Sequence, residues 1–192
     1  MTEIVSKTTR RYPMSIVLPG GPVTLRLMRT DDVDRILAFA RQLPQEDLVF
    51  LRMDITDREV VQRWAQQLAA DRAVSLIAEA NGDMLGYGSL FHRELTWQRH
   101  LGEVRLLVGR RHRSQGLGHA LVGELFQIAR ERGLRKIVAH ITSDQRGAIA
   151  MLERHGFQAE ALLQDFVIDR QERTRDLVVM AHDVEGLSDR VN

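Results

Sequence analysis

The sequence predicts an α/β domain of the α+β kind, and three observations carry that reading. An alternating run at residues 103–108 passes through a glycine turn into a long amphipathic helical pattern, and a second strand-like run follows. Two hairpin signals, at 74–91 and 161–182, supply further sheet. At 192 residues, with 44% hydrophobic and 28% charged residues, the chain has the size of one globular domain with one core.

In order along the chain, residues 1–13 read as a flexible arm, 14–185 as the domain and 186–192 as a tail. Met14 to Leu18 and Val23 to Met28 are strand-like, and Pro19-Gly20-Gly21-Pro22 between them has the chemistry of a turn. Thr30-Asp31-Asp32 signals a helix start, after which Val33, Ile36, Leu37 and Ala40 recur at helical spacing. Thr56-Asp57-Arg58-Glu59 has the form of a capping box ahead of Val60, Val61, Trp64 and Leu68, which predicts a second helix. Asn81-Gly82 between Val74–Ala80 and Met84–Phe91 is a tight hairpin turn.

Glu103 to Val108 alternates, with Val104, Leu106 and Val108 on one face and Glu103, Arg105 and Leu107 on the other. Leu117, Leu121, Leu125 and Ile128 form an apolar helical stripe that Gly133 ends, and Lys136 to Ile141 reads as the next strand. A helical stretch from Ala148 to Arg154 closes on His155-Gly156-Phe157, where Gly156 suits the left-handed position after a helix. Ala161 to Ile168 and Thr174 to His182 form the last hairpin around a polar turn at Asp169 to Glu172.

Composition narrows the function. Lys plus Arg number 27 against 26 Asp plus Glu, a balance that argues against bulk nucleic-acid binding. The absence of cysteine rules out disulfides and a thiol nucleophile. The 7 histidines are scattered without ligand spacing, so no metal is expected. There is no long apolar run of membrane-spanning length and the N-terminus lacks a secretory apolar core, so the expectation is a cytoplasmic protein without a membrane partner.

Arg113-Ser114-Gln115-Gly116-Leu117-Gly118 is the most specific stretch. Its glycines let backbone approach a ligand, and the helix that follows offers unpaired N–H groups and the positive end of its dipole, which together make an anion site. The spacing is neither the dinucleotide fingerprint, which needs a third glycine, nor a Walker loop, which needs Gly-Lys-Ser/Thr. It resembles the Arg/Gln-x-x-Gly-x-Gly/Ala signature of the GNAT acetyltransferases (Gcn5-related N-acetyltransferases). The segment from Gln145 through Ala148 and Leu152 to Gly156-Phe157 is similar to that family's Asn-x-x-Ala-x-x-x-Tyr-x-x-x-Gly-Phe block, and Glu103 to Val108 resembles its fourth strand.

The resemblance implies a central mixed, mostly antiparallel sheet flanked by helices, with a splayed pair of parallel strands at the cofactor cleft. It implies acetyl-CoA as co-substrate and a primary amine as acceptor, the pyrophosphate resting against Arg113, Ser114, Gln115, Gly116, Leu117 and Gly118. The strand residues Leu106, Leu107 and Val108 and the helix-start residue Gln145 would line the pantetheine arm, with a backbone N–H near Leu107 or Val108 polarising the thioester carbonyl. Two departures stand out: Gln145 replaces the usual asparagine, and Leu152 replaces the tyrosine proposed to protonate the leaving thiolate.

For a lysine-like acceptor of pKa about 10.4, deprotonation at pH 7 costs roughly 4 to 5 kcal/mol, against about 1 kcal/mol for an α-amine, so a base matters most for the former. Glu103 is the leading candidate base, placed before the phosphate turn at the family's offset, and a strand carboxylate paired with a neighbouring cation is the competing reading. His140 is a second candidate, weighed against a hydrogen-bonded core histidine. Glu160 and Asp165 are weighed as cation-binding groups against ordinary solvated carboxylates. Asp47 to Arg52, in the stretch where the family shapes its acceptor pocket, is weakly similar to a Leu/Tyr-x-Arg-Phe element of the protein lysine acetyltransferases. An acetyltransferase and a catalytically silent acyl-CoA-binding module are therefore both open at this point, as are the acceptor and the oligomeric state, a homodimer included.

Overall fold

The alternating and helical patterns resolve, in a computed structural model describing residues 11–48, 51–92, 96–169 and 172–184, into one sheet with helices on both faces. The strands are β1 (Met14–Leu18), β2 (Gly21–Leu27), β3 (Ala73–Ala80), β4 (Asp83–His92), β5 (Leu101–Val108), β6 (Lys136–Thr142), β7 (Gln158–Ile168) and β8 (Thr174–Asp183). The helices are α1 (Val33–Arg41), α2 (Gln45–Leu48), α3 (Arg58–Ala69), α4 (Leu117–Glu131) and α5 (Arg146–Arg154). Strand order is β1-β2-β3-β4-β5-β6-β8-β7, antiparallel throughout except where β5 meets β6.

Local chemistry accounts for the elements. Asn81 and Gly82 both take positive φ, 52° and 88°, the requirement of the two-residue turn whose twist matches β3 and β4. The turn before β2 is shorter than its four-residue signal: Gly21 and Pro22 already pair with Leu18 and Val17, leaving only Pro19-Gly20 as the loop. The cap of α3 is also shifted. Asp57, not Thr56, is the N-cap, and its Oδ1 accepts from the N–H groups of Glu59 and Val60, while Thr56 bonds to Asp54 instead. Helix α5 begins two residues earlier than its apolar pattern and β7 three residues earlier than its own, because backbone pairing extends past the periodic side chains.

Two apolar layers sandwich the sheet. On one face Leu117, Leu121, Leu125 and Ile128 of α4 are essentially fully buried against Leu76, Leu90, Val104, Ile137 and Ile141, each such side chain contributing about 1.5 to 3 kcal/mol. On the other face α1 and α3 cover Ile77, Tyr87 and Leu107 with Ile36, Leu37, Trp64 and Leu68. Trp64 tilts against Tyr87 at 4.9 Å, and its Nε1–H donates to Ser75 Oγ (3.0 Å), which in turn bonds Ser89 Oγ (2.8 Å), so the indole N–H and both buried serines are satisfied. Arg26 grips Asp32 with two N–H groups at 2.7 and 2.8 Å and so fixes the approach of α1 to β2. Residues 1–10 of the expected arm lie outside the described residues, as do residue 185 of the expected domain and the whole expected tail, 186–192. Tyr12 is held against α4 by its hydroxyl, which donates to Glu124 Oε2 at 2.9 Å.

Candidate active site

The one parallel contact in the sheet among the described residues is short. β5 and β6 pair only at Leu101–Lys136, Gly102–Ile137 and Glu103–Val138, and past Glu103 the two strands diverge, as the splayed pair expected at a cofactor cleft must. β4 keeps pairing with β5 as far as Val108, so one edge of β5 is open from Val104 onward among the described residues. The N–H of Gly109 donates to Leu85 O (2.8 Å), and alternation then turns the N–H groups of Leu107 and Arg105 toward β4. Those of Leu106 and Val108 therefore face the opening. The N–H suited to polarise a carbonyl in the cleft belongs to Val108 or Leu106, whereas Leu107 uses its own within the sheet and buries its side chain under α1 and α3.

At the end of β5 the chain makes a short 3-10 turn, Arg110–His112, and enters α4 through the phosphate turn. Ser114 has φ 59° and Gly116 φ 88°; the second is the N-cap of α4, a left-handed residue for which glycine is the unstrained choice. No side chain caps α4, so the first-turn N–H groups, which have no acceptor within the helix, are left for a ligand. A Cβ on Gly118 would lie 3.6 Å from Leu106 Cδ2 and 3.8 Å from Met151 Cε, ordinary contacts that fit a motif position open to glycine or alanine.

The long side chains of the turn are spent on the protein itself. Arg113 donates from Nε to Val108 O (3.0 Å) and pairs with Asp47 at 2.7 Å, and Gln115 donates to Arg111 O (3.1 Å). The groups this turn leaves for an anion are thus backbone N–H, while Arg113 ties the turn to the end of β5 and to α2, and Arg110 ties it to α2 through Glu46 (2.6 Å). Gln145 is the N-cap of α5 but its exposed side chain makes no capping bond. Leu152 is core, 3% exposed, and has no proton to give.

On the opposite face of the same opening, three segments meet. Glu103 Oε1 accepts from Arg105 Nε (2.8 Å) and from Arg52 Nη1 (2.8 Å), and Arg52 Nη1 also lies 3.0 Å from His140 Nδ1. An arginine has only N–H to offer, so Nδ1 accepts and the proton of the neutral ring sits on Nε2. The Arg105 guanidinium stacks 4.1 Å over the Phe91 ring. Burial alone would push the Glu103 carboxyl up, but the Arg105 hydrogen bond and the charges of Arg105 and Arg52 outweigh it and hold it below the usual range. His140 is lowered by burial, then by Arg52, against the smaller pull of Glu103, and so stays neutral at neutral pH.

Sequence reasoning placed Glu103 and His140 here and weighed a pairing of Glu103 with the neighbourhood of Arg105, which the structure shows, but did not foresee that Arg52 joins them. The signal for Arg105 was its two-residue offset from Glu103 on one strand face. Arg52 ends the weakly similar Asp47–Arg52 stretch, of which Val49 and Phe50 lie outside the described residues. Glu160 and Asp165 are elsewhere: Glu160 pairs with Lys136 (2.5 Å) where β6 is still zipped to β5, and Asp165 accepts from Thr174 Oγ1 within the β7–β8 hairpin. Among the described residues no cluster of His, Asp or Glu is arranged to hold a metal, and no helix is long and apolar enough to cross a membrane.

This architecture and these motifs match known proteins. The model of the acetyltransferase (GNAT) family matches residues 37–157. The Bacillus subtilis protein YwnH is 22% identical over 164 residues, covering 84% of this chain and 99% of that protein. The yncA protein of Salmonella typhimurium, solved with its cofactor acetyl-CoA, superposes with a TM-score of 0.74 at 23% identity, covering 85% of this chain and 94% of the other. The ribosomal-protein-alanine N-acetyltransferase of Brucella melitensis superposes with a TM-score of 0.71 at 25% identity, covering 83% and 98%.

Proposed function

The chain belongs to the GNAT acetyltransferase family, and from that membership we propose that it transfers the acetyl group of acetyl-CoA to a primary amine. One observation carries the reading: the uncapped N-terminus of α4 stands at the end of the strand whose open edge begins where β5 and β6 part. A pyrophosphate on the N–H groups of Gly116 to His119 and a pantetheine arm along the free edge of β5 use both features at once.

Acetyl-CoA supplies the activated acyl group as a thioester. Val108 or Leu106 donates a backbone N–H to the thioester oxygen, while Arg52 and Arg105, being cations beside the acceptor, lower the pKa of the amine and raise its neutral fraction. The amine nitrogen bonds to the acyl carbon and the C–S bond breaks, its electron pair going to sulfur. The amine's proton leaves to Glu103, directly or through a water; with its pKa depressed, Glu103 relays the proton rather than storing it. The thiolate takes a proton from solvent, a step that Leu152 cannot assist but that costs only roughly 2 kcal/mol at pH 7 for a thiol of pKa about 8.5.

The test combines titration calorimetry of acetyl-CoA with release of free CoA across small amines, peptides and protein lysines. Binding with amine-dependent CoA release supports the proposal. Binding without turnover on any amine, which the buried Leu152 favours, makes the chain a silent acyl-CoA-binding module. No binding removes the assignment of the phosphate turn.

A further inference from the structure

The acceptor side of the cleft carries two guanidinium groups and one carboxylate. His140 is neutral there, so the cluster of Arg52, Arg105 and Glu103 is net positive. Each arginine spends only part of its donor fork on protein: Arg52 uses Nη1 alone and Arg105 uses Nε alone, and among the described residues neither has a further hydrogen bond. Arg52 is nearly half exposed, with 47% of its side chain accessible, whereas Glu103 is 24% exposed and already shared by both cations. Both cations bond the same Glu103 oxygen, Oε1, so among the described residues an arriving ligand meets unspent N–H donors beside the carboxylate's open Oε2.

A planar fork of that kind binds an oxyanion with two parallel bonds and repels a second cation. We infer that the acceptor is a small amine carrying its own carboxylate, a free amino acid, held by the open donors of Arg52 and Arg105 with its amine beside Glu103. The inference rests on the proposed acetyl transfer and narrows it. A polyamine or a lysine in a basic segment brings extra positive charge to a cluster that is already positive. A peptide N-terminus has its nearest carboxylate converted to an amide. Only the free amino acid places a carboxylate two bonds from the amine.

The discriminating comparison is each of the twenty L-amino acids against its own C-terminal amide, assayed by release of free CoA at pH 7. The carboxylate of the free acid raises its amine's pKa, so the amide holds more neutral nucleophile and intrinsic reactivity favours the amide. The inference predicts the reverse: for at least one side chain the free acid is used tenfold or more better in kcat/KM. In Arg52→Gln that acid-to-amide ratio falls at least tenfold, chiefly through KM for the acid, and Arg52→Lys, which keeps the charge but not the fork, recovers only part of it. Circular dichroism and acetyl-CoA calorimetry establish that each variant is folded; if Arg52→Gln is not, Arg105→Gln gives the same reading. Amides or simple amines acetylated as well as or better than every free acid, or a ratio unmoved by Arg52→Gln, overturns the inference and leaves acetyl transfer standing. No CoA release from any primary amine, with acetyl-CoA bound, overturns both.

Discussion

The proposed cofactor side and the proposed acceptor side of the cleft are built from opposite materials. The phosphate turn is six consecutive residues whose working groups are backbone N–H, fixed by two left-handed residues and the start of α4. The acceptor cluster is four side chains from the loop before α3, from β5 and from β6, brought together only by the folded sheet. Backbone presents the same donors whatever side chains surround it, so the first half suits a ligand that does not vary. Side chains are exchangeable one at a time, so the second half suits a ligand that does vary, as the proposed acceptor would.

The largest expected effect breaks the backbone half alone. Gly116→Asp puts a negative charge about 4 Å from a bound phosphate, costing on the order of 4 kcal/mol at an effective dielectric near 20, or roughly a thousandfold in Kd for acetyl-CoA by calorimetry. Gly116→Asn, which carries the same left-handed backbone without the charge, is expected to lose far less; equal losses would mean that strain, not charge, is responsible.

Leu152→Ala comes next and belongs to neither half. Its target is a 3% exposed core leucine, so the loss is one of stability, about 2 to 5 kcal/mol in denaturant unfolding, with turnover per folded molecule kept. A turnover loss in a stably folded variant would give position 152 a role in the chemistry after all.

Glu103→Gln tests the side-chain half. Turnover is expected to fall roughly 100-fold near pH 7 while the Kd for acetyl-CoA is unchanged, and to recover in part as rising pH neutralises the amine without help. A pH-independent loss would remove Glu103 as the proton's route. The same variant carries a stability signature. Because the folded protein holds this carboxyl below its ordinary value, the ionised group stabilises the fold above an unfolded pKa of about 4.3, and that contribution disappears as pH falls through the lower folded value. The gap in stability between wild type and Glu103→Gln should therefore shrink on acidification in urea titrations from pH 6 to pH 3.

The smallest effect is expected from Gln145→Ala. The side chain is exposed and caps nothing, and affinity for acetyl-CoA should change by less than threefold. A loss of tenfold or more would mean that Gln145 makes the hydrogen bond, worth roughly 0.5 to 1.5 kcal/mol, that the family resemblance implies for an asparagine at this position.

What the sequence disclosed follows the same division. The stripe Leu117, Leu121, Leu125, Ile128, the faces of β5, the Asn81-Gly82 turn and the glycine turn into α4 are all local, and each lies where its periodicity or turn chemistry put it. The misplacements are one- to three-residue shifts, as when Asp57 rather than Thr56 caps α3, since neighbouring polar residues compete for the same N–H groups. Glu103 and His140 were recognisable singly, by residue type and strand. Their contact through Arg52, 51 residues from Glu103, depends on the loop after α2 reaching across the sheet, which no local pattern encodes. The choice of Val108 and Leu106 over Leu107 likewise needed the register of β4 on β5.

The division itself is tested most directly by amide NMR spectra of the 15N-labelled protein titrated with acetyl-CoA, in wild type and in Arg52→Gln. The largest shifts are expected at the N–H groups of Gly116, Leu117, Gly118 and His119 and of Leu106 and Val108, with the same pattern and the same Kd in both proteins. Unmoved amides at the start of α4, or a Kd weakened tenfold or more by Arg52→Gln, would contradict a cofactor held by backbone and an acceptor held by side chains.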